Sequence, residues 1–390
     1  MRWLPLLLCV AGCAPYSRSA FERHIAFLAS DEMKGRDNDT DEGRKGAQYI
    51  ADQFASIGLK PGGVFEPPGS TAAPGDLART WFHDFETRYT PRSEKIIRGR
   101  NVAGVLPGRD LAHEYIVIAA HHDARGVIDG RVQNGADDNA TGVAMVIELA
   151  RAFAKMPCRR SLLFVSFDAE EDGMIGSREF VKAKVHEPAA CAAMFVFDCF
   201  GGNFVPWETR TIYALGSEYS RALWDRVAKL SAGERDLEVR RLGVYIIEAF
   251  SARSDYGAYR AAHVPFVFLT SATPWYYHTE HDDLERVNYA KMALSGPFSE
   301  RLIRETADDA GRPAFIPKPA PDYADDARAL KEGAQKAMTE FALDDKQKNT
   351  LRLAVEQLDA VIADPGESPA VRIQRAMTAF FGIVMSQRPK

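Results

Sequence analysis

Histidine and acidic residues recur just after apolar runs in this chain, and those positions are where chemistry could be done. YIVIAA is followed by His121-His122-Asp123, SLLFVSF by Asp168-Ala169-Glu170-Glu171, and AAMFVF by Asp198. Beyond VPFVFLT lies WYYHTEHDD, with His278 and His281, and the Gly-flanked loop NGADDNATG offers Asp137 and Asp138. Converging carboxylates repel one another and resist ionisation, at a cost in stability. No Lys or Arg stands inside these motifs apart from Arg125, downstream of the first, so bound metal cations are the natural compensation. Imidazole and carboxylate donors without cysteine suit zinc best, with cobalt or manganese as substitutes.

Spacing sorts some of the roles. In an extended segment His121 and Asp123 face one way and His122 the other. His121 can therefore bind a metal while Asp123 accepts from its second ring nitrogen, which orients the ligand; His122 is then structural. Glu170 and Glu171 are adjacent and diverge where a strand gives way to a turn. One can bind metal while the other approaches an activated water.

The elements that must position these groups are legible as patterns. The runs NVAGVL (101–106), YIVIAA (115–120), SLLFVSF (161–167), AAMFVF (192–197) and VPFVFLT (264–270) are too short for helices and fit strands buried on both faces. TGVAMVIELARAFAKM is apolar nearly all round, which predicts a buried crossover helix. Ala47, Ile50, Ala51, Phe54 and Ile57 keep helical spacing and stop at Gly58 with Pro61 beyond, while 61–80 reads as loop. Strands alternating with helices predict an α/β fold, a mostly parallel central sheet with helices on both faces. In such sheets ligands bind at the carboxyl ends of the strands, where the acids and histidines lie.

A catalytic domain is expected over 20–311. After the linker-like RPAFIPKPAPDY, three helical stripes follow in a C-terminal helical region, 323–390. They run through Leu330, Ala334 and Ala337; Leu351, Ala354 and Leu358; and Ile373, Met377 and Phe380. This appendage carries no chemical motif; it reads as a bundle packed on the main domain or as a dimer interface, so the oligomeric state stays open.

The composition, 46% hydrophobic and 26% charged, is globular. A net charge of −5 without a basic block argues against nucleic acid as a partner. MRWLPLLLCVAGCAP has the layout of a secretory signal over 1–13, and VAGC resembles a bacterial lipoprotein signal that would anchor the chain to a membrane through Cys13. The expectation is an exported protein, periplasmic or an outer-membrane lipoprotein. Export permits disulfides. Cys158 and Cys191 each precede a strand candidate and would pair if those strands were parallel neighbours; two buried free thiols are the other reading.

The motifs AAHHDAR, NGADDNATGVA, FDAEEDGMIGS, FDCFG and YHTEHDDLERV resemble, in order and spacing, the di-zinc aminopeptidase family. That family includes secreted bacterial leucyl aminopeptidases, glutamate carboxypeptidases and glutaminyl cyclases. The resemblance covers about 20–305 and implies two zinc ions, with His121 and Asp198 on the first, Glu171 and His278 on the second, and Asp137 bridging. It implies Glu170 as general base and Asp123 as the carboxylate behind His121. It implies an exported metallo-aminopeptidase acting on peptides with free N-termini. Asp138 follows the bridging position, where the family often has a cis peptide. His281 could compete as a ligand, and Arg125, Trp275, Tyr276 and Tyr277 shape the pocket or pack around it. The alternatives are a glutaminyl cyclase, against which His121 speaks; a carboxypeptidase, for which Arg125 is thin support; and an inactive binding protein, which would be expected to lose ligands.

Overall fold

A computed structural model describes residues 15–65, 78–90, 93–248 and 251–387. Residues 1–13, with Cys13, lie outside the described residues. Among those described, no helix is long and apolar enough to cross a membrane.

The centre is a nine-stranded sheet. In chain order its strands are β1 (Lys60–Pro61), β2 (Phe82–Arg88), β3 (Ile96–Leu106), β4 (Leu111–His121), β5 (Arg160–Phe167), β6 (Cys191–Phe197), β7 (Thr211–Leu215), β8 (Glu238–Leu242) and β9 (Phe266–Thr270). They lie side by side as β1-β3-β5-β4-β6-β9-β7-β8, with β2 also paired to β3. The middle four, β5, β4, β6 and β9, are mutually parallel. On the flanks β3 runs against β5 and β2, and β7 runs against β9 while pairing in parallel with β8. The sheet is thus mixed, with the expected parallel part at its centre. The stretch 61–80, read as loop, contains strands at 63–65 and 78–80 that pair with each other.

Strand alternation explains why the central runs are apolar throughout. Ile116, Ile118 and Ala120 enter one core, while Tyr115, Val117 and Ala119 enter the other. Ten helices flank the sheet among the described residues: α1 (Arg18–Leu28), α2 (Asp41–Ile57), α3 (Thr141–Ala154), α4 (Ile175–Lys182), α5 (Arg221–Gly233), α6 (Tyr256–Ala261), α7 (Tyr289–Asp308), α8 (Tyr323–Glu340), α9 (Asp345–Ala363) and α10 (Pro369–Met385). The first core takes residues of α1, α2, α3, α5 and α7, and the second those of α4, α6 and α8–α10. Helix α2 ends as expected at Gly58, whose φ of 92° closes the last turn in the left-handed region.

The C-terminal helices pack on the sheet rather than standing apart. Leu330, Leu358 and Ile373 join the core that holds Leu215, Leu242 and Phe268. Gly243 N–H (3.1 Å) and the Tyr245 hydroxyl (2.8 Å) both donate to Asp326 of α8.

The disulfide expected as one reading does not form: Cys158 and Cys191 are buried free thiols, as is Cys199. β4 lies between the strands they precede, which sets those strands about 9–10 Å apart, beyond disulfide reach. The two thiols also lie in opposite cores.

Candidate metal centre

The candidate donors converge where the parallel strands end. His121 is the last residue of β4, Glu170 and Glu171 follow β5, Asp198 follows β6, and His278 lies in the loop after β9. β4 has β5 on one side and β6 on the other, so the chain reverses its winding direction there, and crevices open at such switch points. Ala169 (φ 53°), Cys199 (φ 48°) and His278 (φ 57°) all take left-handed backbone beside or at a donor. Non-glycine residues hold that conformation only where their surroundings enforce it.

Two groups of three donors form. His121, Asp138 and Asp198 make one; Asp138, Glu171 and His278 make the other, and within each the donor atoms lie within 4.8 Å of one another. Asp138 Oδ1 is 3.2 Å from His121 Nε2, and its Oδ2 is 3.2 Å from His278 Nε2. Asp198 is 3.5 Å from His121, and Glu171 is 3.1 Å from His278. Both imidazole nitrogens nevertheless lack a hydrogen bond, as does Glu171 Oε1. Close but out of line, these atoms fit donors aimed at a shared point, and their nitrogen and oxygen types fit zinc.

The carboxylate shared by both groups is therefore that of Asp138, and the expectation for Asp137 is corrected. Asp137 Oδ1 accepts from Gly201 N–H and Gly202 N–H, each at 2.7 Å, and Oδ2 accepts from the Tyr276 hydroxyl at 3.3 Å. Its side chain braces the loop after Asp198 instead of facing the histidines. The main-chain N–H groups of Asp137 (2.7 Å) and Asp138 (3.0 Å) both donate to Asp282, which fixes the loop from behind. The peptide between Asp138 and Asn139 is cis, one residue later than the resemblance implied.

The other expected residues fall close to their assigned places. Asp123 Oδ1 is 3.5 Å from His121 Nδ1, and its Oδ2 accepts from Glu171 N–H at 3.0 Å. The Asp123 main-chain carbonyl is the hydrogen-bond partner of His121 Nδ1 at 3.2 Å, so one residue ties the first histidine to the chain that carries the glutamates. His122 turns away, its Nδ1 3.1 Å from the Ser166 hydroxyl. His281 is exposed beside Trp275 and stays clear of both donor groups. Tyr277 stacks on His278 with ring centroids 3.7 Å apart, and Arg125 lines a small cleft with Asp138, Glu171 and His278.

Electrostatics mark the same spot. Burial would lower His121, but the Asp198 charge and the nearby Asp123 and Asp138 carboxylates outweigh it and hold the ring well above its usual range. Burial likewise opposes His278, which Asp138 and Glu171 raise to about 9. Burial, with the Asp138 charge, pushes Glu171 up to about 7. Burial also raises Glu170 well above the carboxylate range. A cation bound among these groups would relieve the crowding of negative charge.

Several contributors could not be read from the motifs. Arg36, fully buried, donates to the carbonyls of His122 (2.6 Å) and Gly135 (2.7 Å) under the donor loop. Lys291, also buried, donates to the Gly202 carbonyl; burial pulls its pKa down to about 8 against the attraction of Asp137. Both cations lie outside the motifs, and only folding brings them in. Of the remaining acids, Asp168 accepts from Arg100 N–H (2.7 Å), and Asp172 accepts from Lys95 (2.6 Å). These two hold neighbouring strands and loops together.

A sheet covered on both faces, with two imidazole–carboxylate groups at its switch point, is the frame of a candidate metal site in an α/β chain. Residues 101–298, just over half the chain, match the model of peptidase family M28, and the chain belongs to that family. It is 24% identical over 230 residues to aminopeptidase YwaD of Bacillus subtilis, covering 56% of this chain and 47% of the relative. It is 28% identical over 177 residues to a probable zinc metalloprotease of Pyrenophora tritici-repentis, covering 42% and 41%. The chain thus spans less than half the length of these curated relatives. The solved aminopeptidase from Aneurinibacillus sp. strain AM-1 superposes with a TM-score of 0.56 at 17% identity, covering 78% of this chain and 97% of the other, a likeness of fold. The family match ends at residue 298, so α8–α10 lie outside it.

Proposed function

We propose that this protein is an exported, zinc-dependent aminopeptidase that holds two zinc ions and hydrolyses the first bond of peptides with a free N-terminus. The observation that carries the reading is the Asp138 carboxylate shared between two donor groups, each completed by an imidazole whose nitrogen has no hydrogen-bond partner. His121, Asp138 and Asp198 would hold one ion, and Asp138, Glu171 and His278 the other. Bound zinc supplies Lewis acidity toward a peptide carbonyl and makes water acidic enough to attack near neutral pH.

The chain's own residues do the rest. Glu170 follows the same strand as Glu171 but belongs to neither donor group, which leaves its carboxylate free to take a proton from the attacking water and hand it to the leaving amine. Its burial favours the protonated form, which holds the proton taken from water until it passes to the leaving amine. Asp123 keeps the His121 ring in register through its main-chain carbonyl, and the stacked Tyr277 fixes that of His278.

Export and a lipid anchor at Cys13 are part of the proposal, supported by the layout of residues 1–13. Mass spectrometry of the mature N-terminus from the membrane fraction checks it, and an unmodified N-terminus upstream of Cys13 refutes it.

The activity is tested on peptides with free and blocked N-termini and on an N-terminal glutamine peptide, each with and without chelator. Chelator-sensitive release from free N-termini alone is expected. Cyclisation of the glutamine peptide would assign a cyclase instead, and no turnover of any substrate would leave a binding protein.

A further inference from the structure

A cavity of about 270 Å³ begins at the candidate metal centre, with Asp198 and Tyr277 among its walls. Tyr277 is the ring stacked on His278, so whatever occupies the cavity touches the wall of the site itself. One side comes from the region of the family match, through Phe204, Leu215 and Phe268. The other comes from beyond it, through Met377, Phe380 and Phe381 of α10.

Packing makes that second wall a built one. Phe204 lies on the segment leading away from Asp198, and its ring meets Phe380 edge-on at 5.6 Å and stacks with Phe381 at 6.4 Å. Gln374 of α10 donates to the carbonyl of Glu248 at 3.1 Å, which pins the helix beside the cavity. Gly333 of α8 leaves room for this arrangement, since a Cβ there would come within 3.0 Å of the Phe380 ring.

The chemistry of the lining selects its occupant. Glu208 accepts from the Tyr213 hydroxyl (2.7 Å) and from Arg240 (2.8 Å), so these charges are satisfied within the wall. Arg253, exposed, is the one charged lining residue without an ion pair among the described residues, and it disfavours a cation. The remaining lining is largely aromatic and aliphatic. A dry apolar cavity of about 150 Å³ already admits benzene, so this one takes a ring-sized side chain.

We propose that α10, a segment outside the family match, sets which substrate residue this site accepts, by closing the cavity against the first side chain of the peptide. The preferred residue is large and apolar, phenylalanine or leucine, over alanine, with lysine disfavoured. This rests on the peptidase reading above, and the test separates the two.

Zinc-loaded full-length protein is assayed on coumarin amides of phenylalanine, tryptophan, leucine, alanine and lysine. The variants are Met377→Trp, which fills the cavity, and Phe381→Ala, which enlarges it; melting is followed in parallel. In the wild-type chain kcat/KM for phenylalanine should exceed that for alanine at least tenfold. Met377→Trp should lower that ratio at least tenfold, and Phe381→Ala should raise tryptophan relative to phenylalanine. Ratios unmoved in both variants, with melting retained, would overturn the assignment. If no amide is cleaved, the peptidase reading fails and the cavity is judged by calorimetry with L-phenylalaninamide. Binding that Met377→Trp weakens tenfold supports the cavity's role; no binding, or binding equal in both proteins, overturns it.

Discussion

Exchanging Asp137 and Asp138 separately for asparagine puts the most specific feature of the site at risk. The two residues are adjacent, both acidic and both buried, yet they face different partners. Asp138 presents one oxygen to each histidine at 3.2 Å. Asp138→Asn removes the anionic donor common to both groups. Losing an outer-shell partner alone costs about 10–100-fold in metal affinity, so loss of this donor should exceed about 100-fold. Zinc at a thousandfold excess over its Kd stabilises a protein by about 4 kcal/mol. For 390 residues that corresponds to about 5 °C in Tm. At a hundredfold weaker Kd the same zinc is only a tenfold excess, so this gain should shrink to about 1.4 kcal/mol, or about 2 °C, or less in Asp138→Asn. Asp137→Asn instead turns two charge-assisted bonds from Gly201 and Gly202, 2.7 Å each, into neutral ones. At about 1 kcal/mol lost per bond, the cost is about 2 kcal/mol, or about 2 °C, with the zinc response retained. Metal content by mass spectrometry and melting with and without zinc read both effects. Zinc bound by Asp138→Asn but lost from a well-folded Asp137→Asn would refute the assignment.

Further consequences are open to direct measurement. Glu170→Gln should keep bound zinc while losing on the order of a hundredfold or more in kcat, since it removes the acid–base group without touching a donor; near-normal turnover would remove Glu170 from that role. Stability should fall as pH drops from about 6.5 toward 4, because burial lowers the pKa of His83 to about 4 while an unfolded imidazole stays near 6.5. The unfolded state then binds the proton first. The contribution is whole above that window and declines within it by at most about 3 kcal/mol. His83→Gln, whose carbonyl can still accept from Asn101, should flatten this part of the stability-versus-pH curve; an unchanged slope would discard the assignment. Cys158 and Cys191, whose thiols burial raises to about 12, should resist alkylation in the native protein. In denaturant both should label equally with and without reductant, and reductant-dependent labelling would contradict the strand order.

Much of the site was legible because regular elements carry their periodicity in the sequence. A strand buried on both faces is an uninterrupted apolar run, so the residue ending it is known to within a position or two, and His121 and Asp198 fall there. Period two also separated His121 and Asp123 from His122, as the structure has them. The flanking elements were less legible. Helix α7 carries Pro297 in its interior, and the edge strand β8 is only partly buried, so neither has a clean pattern.

The sequence by itself determined the donor chemistry, the five central strands, the crossover helix and the three C-terminal helices, since each is a local matter of residue type and spacing. Tertiary structure decided which acid of NGADDNATG faces the histidines, because a loop has no period and its backbone is set by Asp282, Arg36 and the turn after Asp198. It also decided that Cys158 and Cys191 stay apart, because strand order is a long-range property that puts β4 between their strands and the two thiols in opposite cores. The C-terminal helices show the same division. Their stripes announced that they would pack, and only the fold shows that α10 packs against a cavity at the candidate metal centre.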